Sequence, residues 1–162
     1  MKPTNGHAGL PREIHMYDVE EVLAVVHEDA VISRDAIIGT PGEWRGEATR
    51  FPAHIAEGVV IREFATVHAG CRRPTVVGAR TLILTGSYVA HDVHIGDDCV
   101  IKPGAQIAGC VTLGDGVDVG MGAMIRQHVT VGDGARIGMG AVVLRDVPAG
   151  ETWVGNPARR IR

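Results

Sequence analysis

Aromatic residues are scarce in this chain, with two each of Phe, Trp and Tyr among 162 residues. An ordinary globular interior uses aromatic rings as bulky filler. This interior must therefore be assembled from Val, Ile, Leu and Ala. Cysteine is scarce as well. Cys71, Cys99 and Cys110 are odd in number and form no CxxC pair. That argues against a disulfide framework or a structural zinc site and for a reducing, cytoplasmic setting. No run of roughly 18 apolar residues occurs, so no membrane span is expected. The opening "MKPTNGHAGLPRE" has no apolar core of a signal peptide. Positive charge is not in surplus, with 16 basic against 19 acidic residues and a formal net charge of −3. Nucleic acid and anionic membrane surfaces are thereby disfavoured as partners.

What is abundant is glycine, 22 residues, together with repetition. Stepping by six from Val77 gives Ile83, Val89, Ile95, Ile101, Ile107, Leu113, Val119, Ile125, Val131, Ile137 and Val143, all branched aliphatics. The residue four positions after each, from Thr81 and Ser87 to Ala141 and Val147, is always small. The same register appears upstream at Val26, Ile32, Ile38 and at Ile55, Ile61, Val67. A period of six is not the 3.6 of a helix. It predicts an all-β, parallel β-helix of hexapeptide repeats, a solenoid of about six coils at roughly 18 residues per coil. The aliphatic and the small residue point inward, and Gly, Asp and Asn make the corners.

Residues 1–25 precede the clean register and are expected to form a degenerate coil or a short helix. Residues 26–150 form the β-helix, and residues 151–162 a C-terminal tail. The register breaks twice, with a step of 17 from Ile38 to Ile55 and of ten from Val67 to Val77. Each break predicts a loop insertion, roughly residues 40–54 and 70–76. Loops on a rigid scaffold are where binding and catalysis are usually placed.

Positions 18 apart stack, so the residues after each aliphatic form three edges. One edge reads GAR, GDD, GDG, GDG, as a plain solvated turn should. Another reads HAG, AHD, AGC, RQH, LRD, and both insertions leave from it. This edge is the candidate site. His91 is the candidate general base, because imidazole titrates near neutrality, at about 6.5. Asp92 is placed to orient it. One coil on, Gly109 holds the same corner; a glycine there admits close approach of a substrate, and its N–H is suited to an oxyanion. Base and donor about 5 Å apart, the spacing of stacked strands, suit acyl transfer. Gln127, two coils on, is flanked by Arg126 and His128, which would orient an acceptor or a phosphate.

The stretches "VVIREFATVHAG", "GSYVAHD" and "IAGC", with "GEATR" in the first insertion, resemble bacterial UDP-N-acetylglucosamine O-acyltransferases. Those are left-handed β-helix acyltransferases. The resemblance implies the left-handed coil, His91 as base, Asp92 as its partner and Gly109 as the oxyanion amide. It also implies that His68, Gln127 and the loop around Glu43 and Arg45 face the acceptor. Tyr88, Cys110 and Arg126 stand where the family has histidines, and they join this substrate-binding set. The family forms homotrimers with sites between subunits. The tail "VPAGETWVGNPARRIR" resembles coenzyme A-dependent sugar acetyltransferases of the same fold. That likeness implies acetyl-CoA or another acyl-CoA as donor, held near backbone groups of Ala123 and Ala141, with Arg159 and Arg160 meeting its phosphates. An acyl carrier protein is the other possible donor, and no metal is expected.

The expectation is an acyltransferase moving an acyl group, with acetyl expected, to an amine or hydroxyl of a sugar-like or nucleotide-sugar acceptor. One alternative is a γ-class carbonic anhydrase, with His68, His91 and His94 on zinc. Its last two histidines would be five apart, whereas His91 and His94 are three apart. A non-catalytic solenoid is the other, but no column shows a threonine ladder. Cys110 as nucleophile is weaker than Cys110 as a packed corner residue, and Cys99 points into the core.

Overall fold

The computed structural model describes residues 23–41 and 51–162. The chain winds through six coils of three short strands each. The first holds β1 (Ala24–Val26), β2 (Val31–Ile32) and β3 (Ile37–Thr40), and the second β4 (Ala53–Ile55), β5 (Val60–Ile61) and β6 (Thr66–His68). The third holds β7 (Thr75–Val77), β8 (Leu82–Ile83) and β9 (Tyr88–Val89). The fourth holds β10 (His94–Ile95), β11 (Val100–Ile101) and β12 (Gln106–Ile107). The fifth holds β13 (Thr112–Leu113), β14 (Asp118–Val119) and β15 (Met124–Ile125), and the sixth β16 (Thr130–Val131), β17 (Arg136–Ile137) and β18 (Val142–Val143). β19 (Thr152–Val154) continues the second side, and β20 (Arg159–Arg160) turns back antiparallel to it.

Strands three apart in sequence stack in parallel and make three sheets, one per side of the prism. Their register is the 18-residue spacing read from the sequence: Ile95 pairs with Leu113, Ile101 with Val119 and Ile107 with Ile125. Each strand donates to the coil above, as from His94 N–H to Val111 C=O at 2.9 Å, so the ladder satisfies most of the backbone. The solenoid is the left-handed parallel β-helix expected, with about six turns.

From Ile55 onward every in-pointing aliphatic is buried, and so are the small residues beside them. Cys99 is among these, its thiol donating to the Gly114 carbonyl at 3.1 Å. The first coil differs: Val26 is exposed and Ile32 and Ile38 only partly covered.

The third residue of most corners takes the left-handed conformation. Glycine does so without strain, whereas a side chain costs about 1–2 kcal/mol there. In coils three to five the edge between the β9–β18 side and the next coil has no glycine at this position. It carries Asp92 (φ 61°), Cys110 (φ 62°) and His128 (φ 64°). Phe64, Arg80 and Asp98 hold the same conformation on the other edges.

The edge read as plain turn has a structural task. Asp97, Asp115 and Asp133 each use Oδ1 to accept a hydrogen bond from a corner amide of the preceding coil. These come from Ala79 N–H at 2.8 Å, Asp97 N–H at 2.9 Å and Asp115 N–H at 3.0 Å. Acceptor side chains thus cap amides that the strand ladder leaves over. Among the described residues no helix is long and apolar enough to cross a membrane.

Candidate active site

The second insertion folds back across the edge onto Asp92. Asp92 Oδ1 accepts three backbone N–H groups, from Cys71 (2.9 Å), Arg72 (2.9 Å) and Arg73 (3.0 Å). Gly70 permits that turn, because a side chain there would collide with the Arg73 carbonyl. The Asp92 N–H donates to Thr75 Oγ1 (3.0 Å), and Arg73 Nε donates to the Asp92 carbonyl (2.9 Å). Asp92 is only 1% exposed. Burial alone would raise its pKa; the hydrogen bond from His91 and the three loop amides outweigh that and hold it below the usual carboxylate value,. It is therefore an ionised acceptor held rigidly from two sides.

His91 Nδ1 lies 2.9 Å from Asp92 Oδ2. An ionised carboxylate can only accept, so Nδ1 carries a proton, and in the neutral imidazole Nε2 keeps its lone pair. Nε2 lies over Gly109: a Cβ built there would sit 2.8 Å from it and 2.9 Å from Cε1. Gly109 is therefore needed by the imidazole itself, which the sequence reading had attributed to close approach of a substrate. The Gly109 carbonyl accepts from His128 N–H at 3.1 Å. Its N–H has no hydrogen-bond partner among the described residues. On the aspartate-capped edge the equivalent amides are taken.

These groups line one small cleft, with Arg72, His91, Asp92, Gly109, Cys110, Gln127 and His128 at its walls. Cys110 Sγ is 3.9 Å from Asp92 Oδ2. So His91, Asp92, Gly109, Cys110 and Gln127 meet as expected in space. Arg126 and Tyr88 line a neighbouring groove along the outer face of the β9–β18 sheet, with Gln106, Met124, Val142 and Leu144. His68 is buried behind Tyr88, its ring centroid 5.1 Å from that ring in an edge contact. Its Nδ1 is held by the Pro41 carbonyl at 2.8 Å, and its Nε2 is buried without a partner among the described residues.

Ala123 and Ala141 are fully buried, and their N–H and C=O groups already bond within the coils. Arg160 pairs with Glu151 at 3.1 Å, and Arg159 Nη1 donates to the Ala158 carbonyl at 2.9 Å. Glu43 and Arg45 lie outside the described residues.

The carbonic anhydrase alternative does not survive. Among the described residues His68, His91 and His94 do not gather into a metal-ligating group, and His94 projects outward from β10. The sequence reading missed the Cys71–Arg73 amides. The lengthened step between Val67 and Val77 located that loop, but nothing in its side chains marked backbone N–H groups as the working parts.

Residues 74–109, 93–127 and 110–145 match the family model for the bacterial transferase hexapeptide (six repeats). This chain carries bacterial transferase hexapeptide repeats. An acyl-[acyl-carrier-protein]–UDP-N-acetylglucosamine O-acyltransferase from Syntrophobacter fumaroxidans is 39% identical over 70 residues, 40% of this chain and 26% of that protein. The chain thus spans about a quarter of the length of the curated relatives it matches. A mutant of perosamine N-acetyltransferase from Caulobacter crescentus, solved with CoA and GDP-perosamine, is 26% identical. That match covers 87% of this chain and 57% of that one, with a TM-score of 0.53. LpxA from Acinetobacter baumannii superposes with a TM-score of 0.75 at 22% identity, over 87% of this chain and 72% of that one, a likeness of fold. The His91–Gly109 edge of the hexapeptide repeats lies inside the matched residues.

Proposed function

We propose that this hexapeptide-repeat chain is an acyltransferase that moves an acyl group, acetyl in the simplest case, from coenzyme A to an amine or hydroxyl of a nucleotide-sugar acceptor. One observation carries the proposal: His91 is oriented by a buried, ionised Asp92 and presents Nε2 over Gly109, whose N–H is unpaired among the described residues. His91 Nε2 takes the proton of the attacking amine or hydroxyl as the new bond to the thioester carbon forms. The Gly109 N–H holds the oxyanion. On collapse the C–S bond breaks, and the proton on His91 passes to the departing thiolate. Asp92 stabilises the transient imidazolium and keeps its proton-bearing nitrogen turned away from the reaction.

The acceptor is assigned to the cleft and its rim, with Gln127, Arg126, Cys110, Tyr88 and His68 as its contacts and Glu43 and Arg45 of the first insertion facing it. The donor is assigned to the groove along the outer sheet face, toward Ala123 and Ala141, with Arg159 and Arg160 near its phosphates. Met124 and Leu144 line that groove, and Met121 and Met139 are exposed apolar residues on adjacent corners. These apolar residues support a homotrimer with the site between subunits. The three cysteines, none in a disulfide, support a reducing cytoplasm.

Calorimetric titration with acetyl-CoA tests the donor. Saturable binding near one ligand per chain is expected. An acyl carrier protein is the second reading of the donor, favoured by the named substrate of the 39%-identical relative. Failure of acetyl-CoA to bind, with binding of an acyl carrier protein, would establish that one instead.

A further inference from the structure

Cys71 takes no part in the chemistry above, yet its side chain lies at the centre of the site. Cys71 Sγ, a ring nitrogen of His91 and a carboxylate oxygen of Asp92 all lie within 4.8 Å of one another. Cys110 Sγ stands 3.9 Å from Asp92 Oδ2 on the other side. Thiolate, imidazole and carboxylate are the ligand set of borderline-soft divalent cations, with bonds of about 2.0–2.3 Å. Such bonds put neighbouring ligand atoms about 3–4 Å apart, so the group needs only a small contraction. Asp92 is buried and ionised, and it is fixed by three loop amides and by the Thr75 hydroxyl. A fixed negative charge with little water around it favours a cation. The site has an entrance, because His91 is 21% exposed on the wall of the cleft while Cys71 and Asp92 lie behind it.

We propose that Cys71, His91 and Asp92 form an inhibitory binding site for a divalent cation of the zinc type. The thiol loses its proton to solvent on coordination, and the imidazole is held by the ion. If His91 is the base, as proposed above, an occupied site cannot accept a proton from the acceptor. Metal binding itself does not depend on that reading.

Titration of the purified protein with Co2+ reads the site directly. One ion per chain and a thiolate-to-cobalt charge-transfer absorption are expected, with Zn2+ displacing the cobalt. Losing only an outer partner of a ligand weakens metal binding about 10–100-fold. Cys71→Ser is therefore expected to abolish the absorption and weaken binding by roughly 100-fold, and His91→Asn to weaken it similarly while keeping the absorption. Thermal melts of both variants establish that they are folded. Absence of the charge-transfer absorption in the wild type, or its persistence in folded Cys71→Ser, would overturn the proposal. Either result leaves the acetyl-CoA titration untouched, so the two readings fail separately.

Discussion

The imidazole of His91 fills the space above Gly109 that a side chain would occupy, with Nε2 2.8 Å from where a Cβ would stand. The proposed base and oxyanion donor are thus fitted to each other across adjacent coils. Gly109 lacks a positive φ, so alanine can adopt its backbone without strain. Gly109→Ala should therefore fold with nearly unchanged stability while pushing the imidazole aside. A displacement of about 1 Å at a reacting group costs about 100-fold in rate. Steady-state kinetics should show kcat down by roughly that factor, with acyl-CoA affinity retained.

Removing the proposed base is more direct. His91→Ala should lower kcat by about 100- to 10,000-fold and leave donor binding by calorimetry within about twofold. A parallel loss of donor affinity would place His91 in binding instead of proton transfer.

Asp92 joins the proposed base to the loop that folds over it. Asp92→Ala leaves three loop amides without their acceptor in a buried place, and each such orphan costs about 1–3 kcal/mol. A total of at least about 3 kcal/mol is expected in denaturant melts. The pH dependence follows from the lowered pKa of Asp92. A carboxylate depressed in the folded state contributes stability that is fully present above its unfolded value, about 3.9. That contribution is lost as pH falls through the folded value. The gap between wild type and Asp92→Asn should be widest near neutral pH and close in the acid range below about pH 4. A gap that widens with acid would contradict the assignment.

His128 is exposed and holds φ 64°. His128→Gly should relieve the left-handed conformation and raise stability by about 1 kcal/mol, read as a higher melting temperature. If His128 orients the acceptor, the same variant raises KM for the acceptor.

The solenoid was legible because its two requirements are written in side-chain type. The aliphatic at each sixth position and the small residue four further on became the buried column from Ile55 to Val143. The 18-residue stacking placed His91, Gly109 and Gln127 on one edge, and they line one cleft. What escaped the sequence was carried by the backbone. The amides of Cys71, Arg72 and Arg73 converge on Asp92 through a fold of the loop that their side chains do not signal. Gly70 was the one available hint. The stacked aspartates Asp97, Asp115 and Asp133 looked like turn residues; their spacing of 18 is that of a capping ladder. The small contribution of the first coil was also hidden, since Val26, Ile32 and Ile38 share the register of the core without its burial.

The central claim is that this edge transfers acyl groups with His91 as base. Release of free coenzyme A thiol from acetyl-CoA, with and without a panel of amino- and hydroxyl-bearing nucleotide sugars, measures it in wild type and His91→Ala side by side. The account predicts thiol release that requires an acceptor and falls by at least about 100-fold in the variant. Acceptor-dependent release at the wild-type rate in His91→Ala would contradict it.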